Sequence, residues 1–137
     1  MNNFDLKDRV AVVTGGAQGF GFAITERFIK SGAKVIIWDI DKKAADEAIE
    51  KLNTNDCSYK IIDVQNFEEV NQNLNEIEKK LGKIDIFINN AGIAGKNANV
   101  DEYPIDEWNR VIDLNLNAVF YCCKAVVPFM VKNNYGR

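Results

Sequence analysis

Residues 10–23, VAVVTGGAQGFGFA, constrain this chain more than any other stretch. A short apolar run ends in Thr14-Gly15, and Gly16, Gly19 and Gly21 lead straight into a helical pattern. Strand, glycine-rich turn and helix start, in that order, make a place for a pyrophosphate. The first turn of a helix offers N–H groups without intrahelical partners and the positive end of the helix dipole. Glycines let the backbone take positive φ and let a ligand approach where a Cβ would intrude. The spacing is Gly15-x-x-x-Gly19-x-Gly21 rather than the commoner G-x-G-x-x-G. Alone, such a loop fits a plain tight turn as well as a nucleotide site, so the rest of the chain has to decide.

The rest of the chain alternates strand-like and helix-like segments without linker or repeat. Strands are predicted at 9–14, 34–38, 59–62 and 84–88, and helices at 19–31, 41–52 and 67–81. Gly32 and Gly82 suit helix ends. A long, largely apolar helix is predicted from 105 to about 132, with Pro128 expected to kink or interrupt it. Apolar strands alternating with helices indicate a parallel sheet covered on both faces. Right-handed crossovers then give an α/β, doubly wound, Rossmann-type sheet of order 3-2-1-4. Ligands of such sheets bind at the carboxyl ends of the strands where the order reverses, which is where the glycine-rich turn lies.

Bulk properties narrow the choice of ligand. At 137 residues the chain is the size of one domain, 47% hydrophobic and 27% charged, as in soluble globular proteins. A net charge of −3 leaves no electrostatic footprint for nucleic acid or an anionic membrane. No uninterrupted apolar run approaches the ~20 residues needed to span a bilayer, and MNNFDLKDR has no apolar core of a secretory signal. Cys57, Cys122 and Cys123 are odd in number and lack metal-ligand spacing, so reduced thiols in a cytoplasmic protein are expected. Without any histidine, His-dependent catalysis and most zinc sites are excluded, and no metal is expected.

Further residues fall at the other strand ends. Asp39 ends strand two, 18 residues beyond Gly21, where a carboxylate can accept from both hydroxyls of an adenosine ribose. It would repel a 2′-phosphate and so favours NAD over NADP. The competing reading is a cap for the following helix, which Asp41 could also provide. Gln18 agrees with NAD, since no cation stands in the loop, while Lys42 and Lys43 lie nearby. Asp63-Val64 ends strand three and could meet an adenine edge. Asn89-Asn90-Ala91-Gly92 ends strand four across the cleft, its small residues letting the backbone pass close beneath a cofactor.

TGGAQGFG (14–21), Asp39, Asp63-Val64, NNAG (89–92) and LNLNAVF (114–120), in this order and spacing, resemble the short-chain dehydrogenase/reductase family along the whole chain. The resemblance implies that Gly15, Gly16, Gln18, Gly19, Phe20 and Gly21 hold the NAD pyrophosphate region, with Asp39 and Ile40 at the adenosine ribose. It places Asp63 and Val64 at adenine and Asn90, Ala91 and Gly92 beneath the cofactor. Asn115 matches the family's helix asparagine, which helps hold a water in a proton relay; the competing reading is a polar residue tolerated in an apolar helix.

Phe20 stands where the family usually has isoleucine, and Asn117-Ala118 replaces a small residue followed by glycine. The family's catalytic serine and Tyr-x-x-x-Lys would lie beyond Arg137, so the chain is expected to be an incomplete, N-terminal NAD-binding domain (1–137). Tyr121 and Lys124 are three apart, one short of that spacing, and fall on the wrong element. The resemblance implies an NAD-dependent oxidoreductase acting between a small alcohol or ketone and nicotinamide. The alternatives are a noncatalytic NAD-binding fragment or pseudoenzyme, and a different Rossmann-type binder such as a methyltransferase, which NNAG and LNLNAVF disfavour. The 137 residues alone are expected to be inactive and, with the strand-four edge and the last helix uncovered, to self-associate. In family members that helix commonly builds the interface of a homo-oligomer, so a dimer or tetramer is implied for the complete protein.

Overall fold

The computed structural model describes residues 4–137. Strand β1 (Val10–Thr14) leads through the glycine-rich turn into α1 (Gly19–Lys30). Then come β2 (Lys34–Asp39), α2 (Lys42–Leu52), β3 (Cys57–Ile61), α3 (Phe67–Leu81) and β4 (Ile86–Ile88). All four strands are parallel and their order is β3-β2-β1-β4, the doubly wound Rossmann-type arrangement. Val12 lies in register with Ile36 on one side and Phe87 on the other.

Strand alternation splits the apolar residues into two cores. Val10, Val12, Ile36, Trp38 and Phe87 face α3 and the last helix, where they meet Val70, Leu74, Ala118, Cys122 and Val126. Ala11, Val13, Val35 and Ile37 face α1 and α2, where Ala44, Ala45 and Ala48 allow close approach. Both faces of β1 and β2 are therefore dry, which explains their unbroken apolar sequences. At the amino ends of the strands, buried Asp85 accepts from the Val10 N–H (2.9 Å) and pairs with Arg9 (3.1 Å) and Lys83 (3.2 Å). That end is thus closed by charge, while the carboxyl ends stay open for chemistry.

Several boundaries differ from those read in the sequence. β3 begins at Cys57, earlier than the predicted 59–62, because an edge strand alternates and only Cys57 is fully buried within it. β4 is shorter than 84–88, although Asp85 just before it still donates its N–H to the Val10 carbonyl (2.9 Å) while its side chain anchors Arg9 and Lys83. The long helix is interrupted at another place than expected. After α4 (Ile105–Ile112) comes a π-helical turn (Asp113–Asn117), in which the Ala118 N–H donates to the Asp113 carbonyl, and then α5 (Ala118–Lys132). α5 runs on through Pro128. The run from Ile105 to Lys132 is, by length and composition alone, long and apolar enough to cross a membrane, which the sequence reading did not anticipate. In this fold Ala118, Cys122, Ala125 and Val126 of α5 are buried against the sheet and α3.

The outer edge of β4 is not fully bare. The Arg137 N–H donates to the Asp85 carbonyl (3.0 Å), and the Phe87 N–H donates to the Arg137 carbonyl (2.9 Å). These two bonds bracket Ile86 in the manner of a parallel ladder.

Candidate dinucleotide site

The site is built where β1, β2 and β4 end. Gly15 takes φ +60°, and a Cβ there would lie 3.0 Å from Asn90 Nδ2 and 3.1 Å from the Ala91 Cα. At Gly21 a Cβ would stand 2.0 Å from the Gly15 carbonyl oxygen, so the first turn of α1 can pass under the loop only as glycine. At Gly19 an added Cβ would meet nothing, and that side of the turn is open.

The start of α1 also lacks what other helices here use to satisfy theirs. Asp41 caps α2 by accepting from the Ala44 N–H (3.0 Å), and Asn66 caps α3 through the Glu69 N–H (3.2 Å). Gln18 makes no side-chain cap bond on α1, and the first turn of α1 has no acidic residue. Its N–H groups are therefore available to an external anion.

Thr14 joins the two loops. It is 2% exposed, and its hydroxyl donates to the Ile88 carbonyl (3.1 Å) while accepting from the N–H groups of Asn90 (2.9 Å) and Ala91 (3.0 Å). One donor and two acceptor positions are all that a hydroxyl has, so it is saturated. In return Asn90 Nδ2 donates to the Thr14 (3.0 Å) and Gly15 (3.2 Å) carbonyls. The sequence reading did not select Thr14. The available signal was a polar residue closing an otherwise apolar strand.

Asp39 Oδ2 accepts from the Ala17 N–H (3.2 Å), and its Oδ1 accepts from the Asp41 N–H (3.1 Å). Its carboxylate thus faces the glycine-rich turn, while capping of α2 is left to Asp41. Lys42 turns to Asp46 (2.7 Å) and Lys43 to Glu47 (3.8 Å), both along α2. Phe20 (87% exposed) and Ile40 (72%) stand out into solvent beside the turn and beside Asp39.

At the end of β3, Asp63 is exposed and accepts from the Gln65 N–H (2.9 Å), while Val64 is buried in the core. Past Gly92, Asn115 Oδ1 accepts from the Ile93 N–H (2.9 Å) and its Nδ2 donates to the Ile93 carbonyl (2.8 Å). Gly92 passes so near that a Cβ there would lie 3.1 Å from Asn115 Oδ1. The next stretch of loop is tied down as well, since the Lys96 N–H donates to the Tyr103 hydroxyl (3.2 Å). Beneath it Arg110 holds the Glu107 carboxyl below its usual range through two hydrogen bonds (2.8 and 2.9 Å).

Tyr121 and Lys124 lie elsewhere: Tyr121 packs edge-on against Phe67, and Lys124 stands 5.8 Å from the same ring. Among the described residues no His, Cys, Asp or Glu cluster could hold a metal ion.

A doubly wound parallel sheet with a glycine-rich turn at its switch point defines a Rossmann-type fold. The short chain dehydrogenase model matches residues 9–137, and the chain belongs to that family. It is 41% identical over 129 residues to a 2-dehydro-3-deoxy-L-rhamnonate dehydrogenase (NAD(+)) of Sphingomonas sp., covering 94% of this chain and 51% of that protein. It is 40% identical over 141 residues to a protein of Yarrowia lipolytica named as a probable NADP-dependent mannitol dehydrogenase, covering 99% and 50%. Among solved structures, an NAD+-bound xylitol dehydrogenase superposes with a TM-score of 0.91 at 30% identity, covering 98% of this chain and 52% of that one. The chain spans about half the length of the relatives it matches.

Proposed function

We propose that residues 1–137 form the NAD-binding part of an oxidoreductase acting between a small alcohol or ketone and nicotinamide. The observation that carries this reading is the uncapped start of α1, passing under a turn where Gly15 and Gly21 leave no room for side chains, with Asp39 facing the same turn. The fit to a dinucleotide is good at each part. The turn and the N–H groups of Gly19, Phe20 and Gly21 suit a pyrophosphate, with Gly16 and Gln18 flanking it. Asp39 suits ribose hydroxyls, with Ile40 beside it. Asp63 and the backbone of the buried Val64 suit an adenine edge, and Asn90, Ala91 and Gly92 provide a floor.

NAD is favoured over NADP because Asp39 brings negative charge to the ribose position. The two nearby lysines are drawn to Asp46 and Glu47 instead of facing it. When bound, the nicotinamide gives or takes the hydride. Of this chain's residues, Asn115 takes the positioning role. Its amide holds Ile93 and keeps one lone pair and one N–H, which suit a water of a proton relay. Among the described residues we assign none as a proton donor for a substrate oxygen, so the chain alone is expected to bind cofactor without turnover. The complete protein is read as a cytoplasmic homo-oligomer, a dimer or tetramer joined through α4 and α5.

Calorimetric titration of the 137-residue chain with NADH and NADPH tests the reading. NADH is expected to bind at least about tenfold more tightly, a difference of about 1.4 kcal/mol, and Gly21→Ala is expected to abolish binding. Binding of S-adenosylmethionine with neither dinucleotide would instead indicate a methyltransferase-like site.

A further inference from the structure

We propose that Asp39 is also a positioning residue that sets the shape of the glycine-rich turn by holding Ala17; this deepens the NAD-binding reading and rests on it. Ala17 is buried at the middle of the turn, and its N–H has the Asp39 carboxylate as partner at 3.2 Å. A buried N–H is seldom left without a partner, so removing this acceptor frees the turn to rearrange. The acceptor stands on a firm base. Asp39 ends β2 with Ile61 in register on β3 and its own carbonyl accepting from the Ile62 N–H (2.9 Å). The Asp41 N–H fixes the second carboxylate oxygen at 3.1 Å. A carboxylate offers about four lone-pair positions, so these two bonds leave about two for ribose hydroxyls. One side chain can therefore hold the turn and read the sugar together.

The two roles separate with a ligand that has no ribose. Inorganic pyrophosphate reaches only the turn and the start of α1. If Asp39 served the ribose alone, Asp39→Ala would leave pyrophosphate binding unchanged, or strengthen it by removing a nearby negative charge. If it holds Ala17, Asp39→Ala weakens pyrophosphate despite that charge effect.

The test is titration of the 137-residue chain and its Asp39→Ala and Asp39→Asn variants with inorganic pyrophosphate, alongside amide exchange at Ala17 without ligand. The expected result is a dissociation constant raised at least about threefold by Asp39→Ala, as for loss of one hydrogen bond. Asp39→Asn, whose single oxygen can still accept from Ala17 while the exposed Asp41 N–H turns to water, is expected to stay within about twofold of wild type. Unchanged or tighter binding by Asp39→Ala overturns the proposal. So does a wild-type Ala17 amide that exchanges as fast as the Gly19 amide, a comparison that holds even if Asp39→Ala does not fold. A protected Ala17 in a wild-type chain that binds neither pyrophosphate nor NADH would uphold the positioning role and reject the NAD-binding reading.

Discussion

Asn115 spends both ends of its amide on a single residue, accepting from the Ile93 N–H at 2.9 Å and donating to the Ile93 carbonyl at 2.8 Å. This pairing sits in the π-helical turn, where one residue more per turn swings the side chain toward the loop after β4. Asn115→Ala removes both bonds from an exposed place. It is expected to cost about 1 kcal/mol and to speed exchange of the Ile93 amide by about fivefold. Unchanged protection at Ile93 would show that the loop is held by other contacts.

Thr14 gives a larger effect because it is buried and saturated. Thr14→Val keeps the shape but leaves the Asn90 and Ala91 N–H groups without their acceptor. A loss of about 2 kcal/mol is expected in denaturant unfolding, since an orphaned buried donor costs about 1–3 kcal/mol and these two N–H groups are partly buried. Thr14→Ser, which keeps the hydroxyl, is expected to recover most of it. Equal losses for Val and Ser would point to the methyl group instead.

Much of this site was legible before the structure. The glycine spacing, Asp39 and NNAG carry backbone requirements that are written in residue type: a Cβ at Gly21 would collide with the Gly15 carbonyl. What could not be read were contacts between distant segments. Thr14 meets Asn90 across 76 positions, and no local pattern announces that pairing. The π-helical turn was equally hidden. Pro128 looked like the break, yet α5 continues through it, and the interruption falls where Asn115 must reach Ile93. Tertiary contacts here outrank the local signal.

The cysteines test burial through chemistry. Desolvation pushes the Cys57 thiol up to about 12, and does the same to Cys122, where the neighbouring Cys123 adds to it. Cys123 is exposed. At pH 8 iodoacetamide is expected to modify Cys123 in the folded chain and all three cysteines in denaturant. The two raised values also set a direction for stability. Their neutral thiols favour the folded state fully below the unfolded value near 9, and that contribution falls as pH rises from about 9 toward about 12. Labelling of Cys57 or Cys122 at the Cys123 rate under native conditions would contradict this.

Ile105, Trp108, Leu116, Phe120, Val127 and Val131 form an apolar stripe along α4, the π-helical turn and α5, each at least 48% exposed. Their spacing keeps them near one side of a helical rod about 40 Å long, at 1.5 Å per residue. Burying a large apolar side chain contributes about 1.5–3 kcal/mol, so a partner covering even half of this stripe gains several kcal/mol before the entropy of association is counted. The same helix turns Ala118, Cys122, Ala125 and Val126 inward, so the stripe is not needed to hold the domain together. Sedimentation of the 137-residue chain is therefore expected to show self-association. Leu116→Glu with Phe120→Glu should weaken it at least about tenfold, since two charges would have to be desolvated in each copy, with little change in unfolding temperature. A monodisperse monomer at about millimolar concentration, where association stronger than about −4 kcal/mol would be visible, would mean that this stripe does not drive assembly.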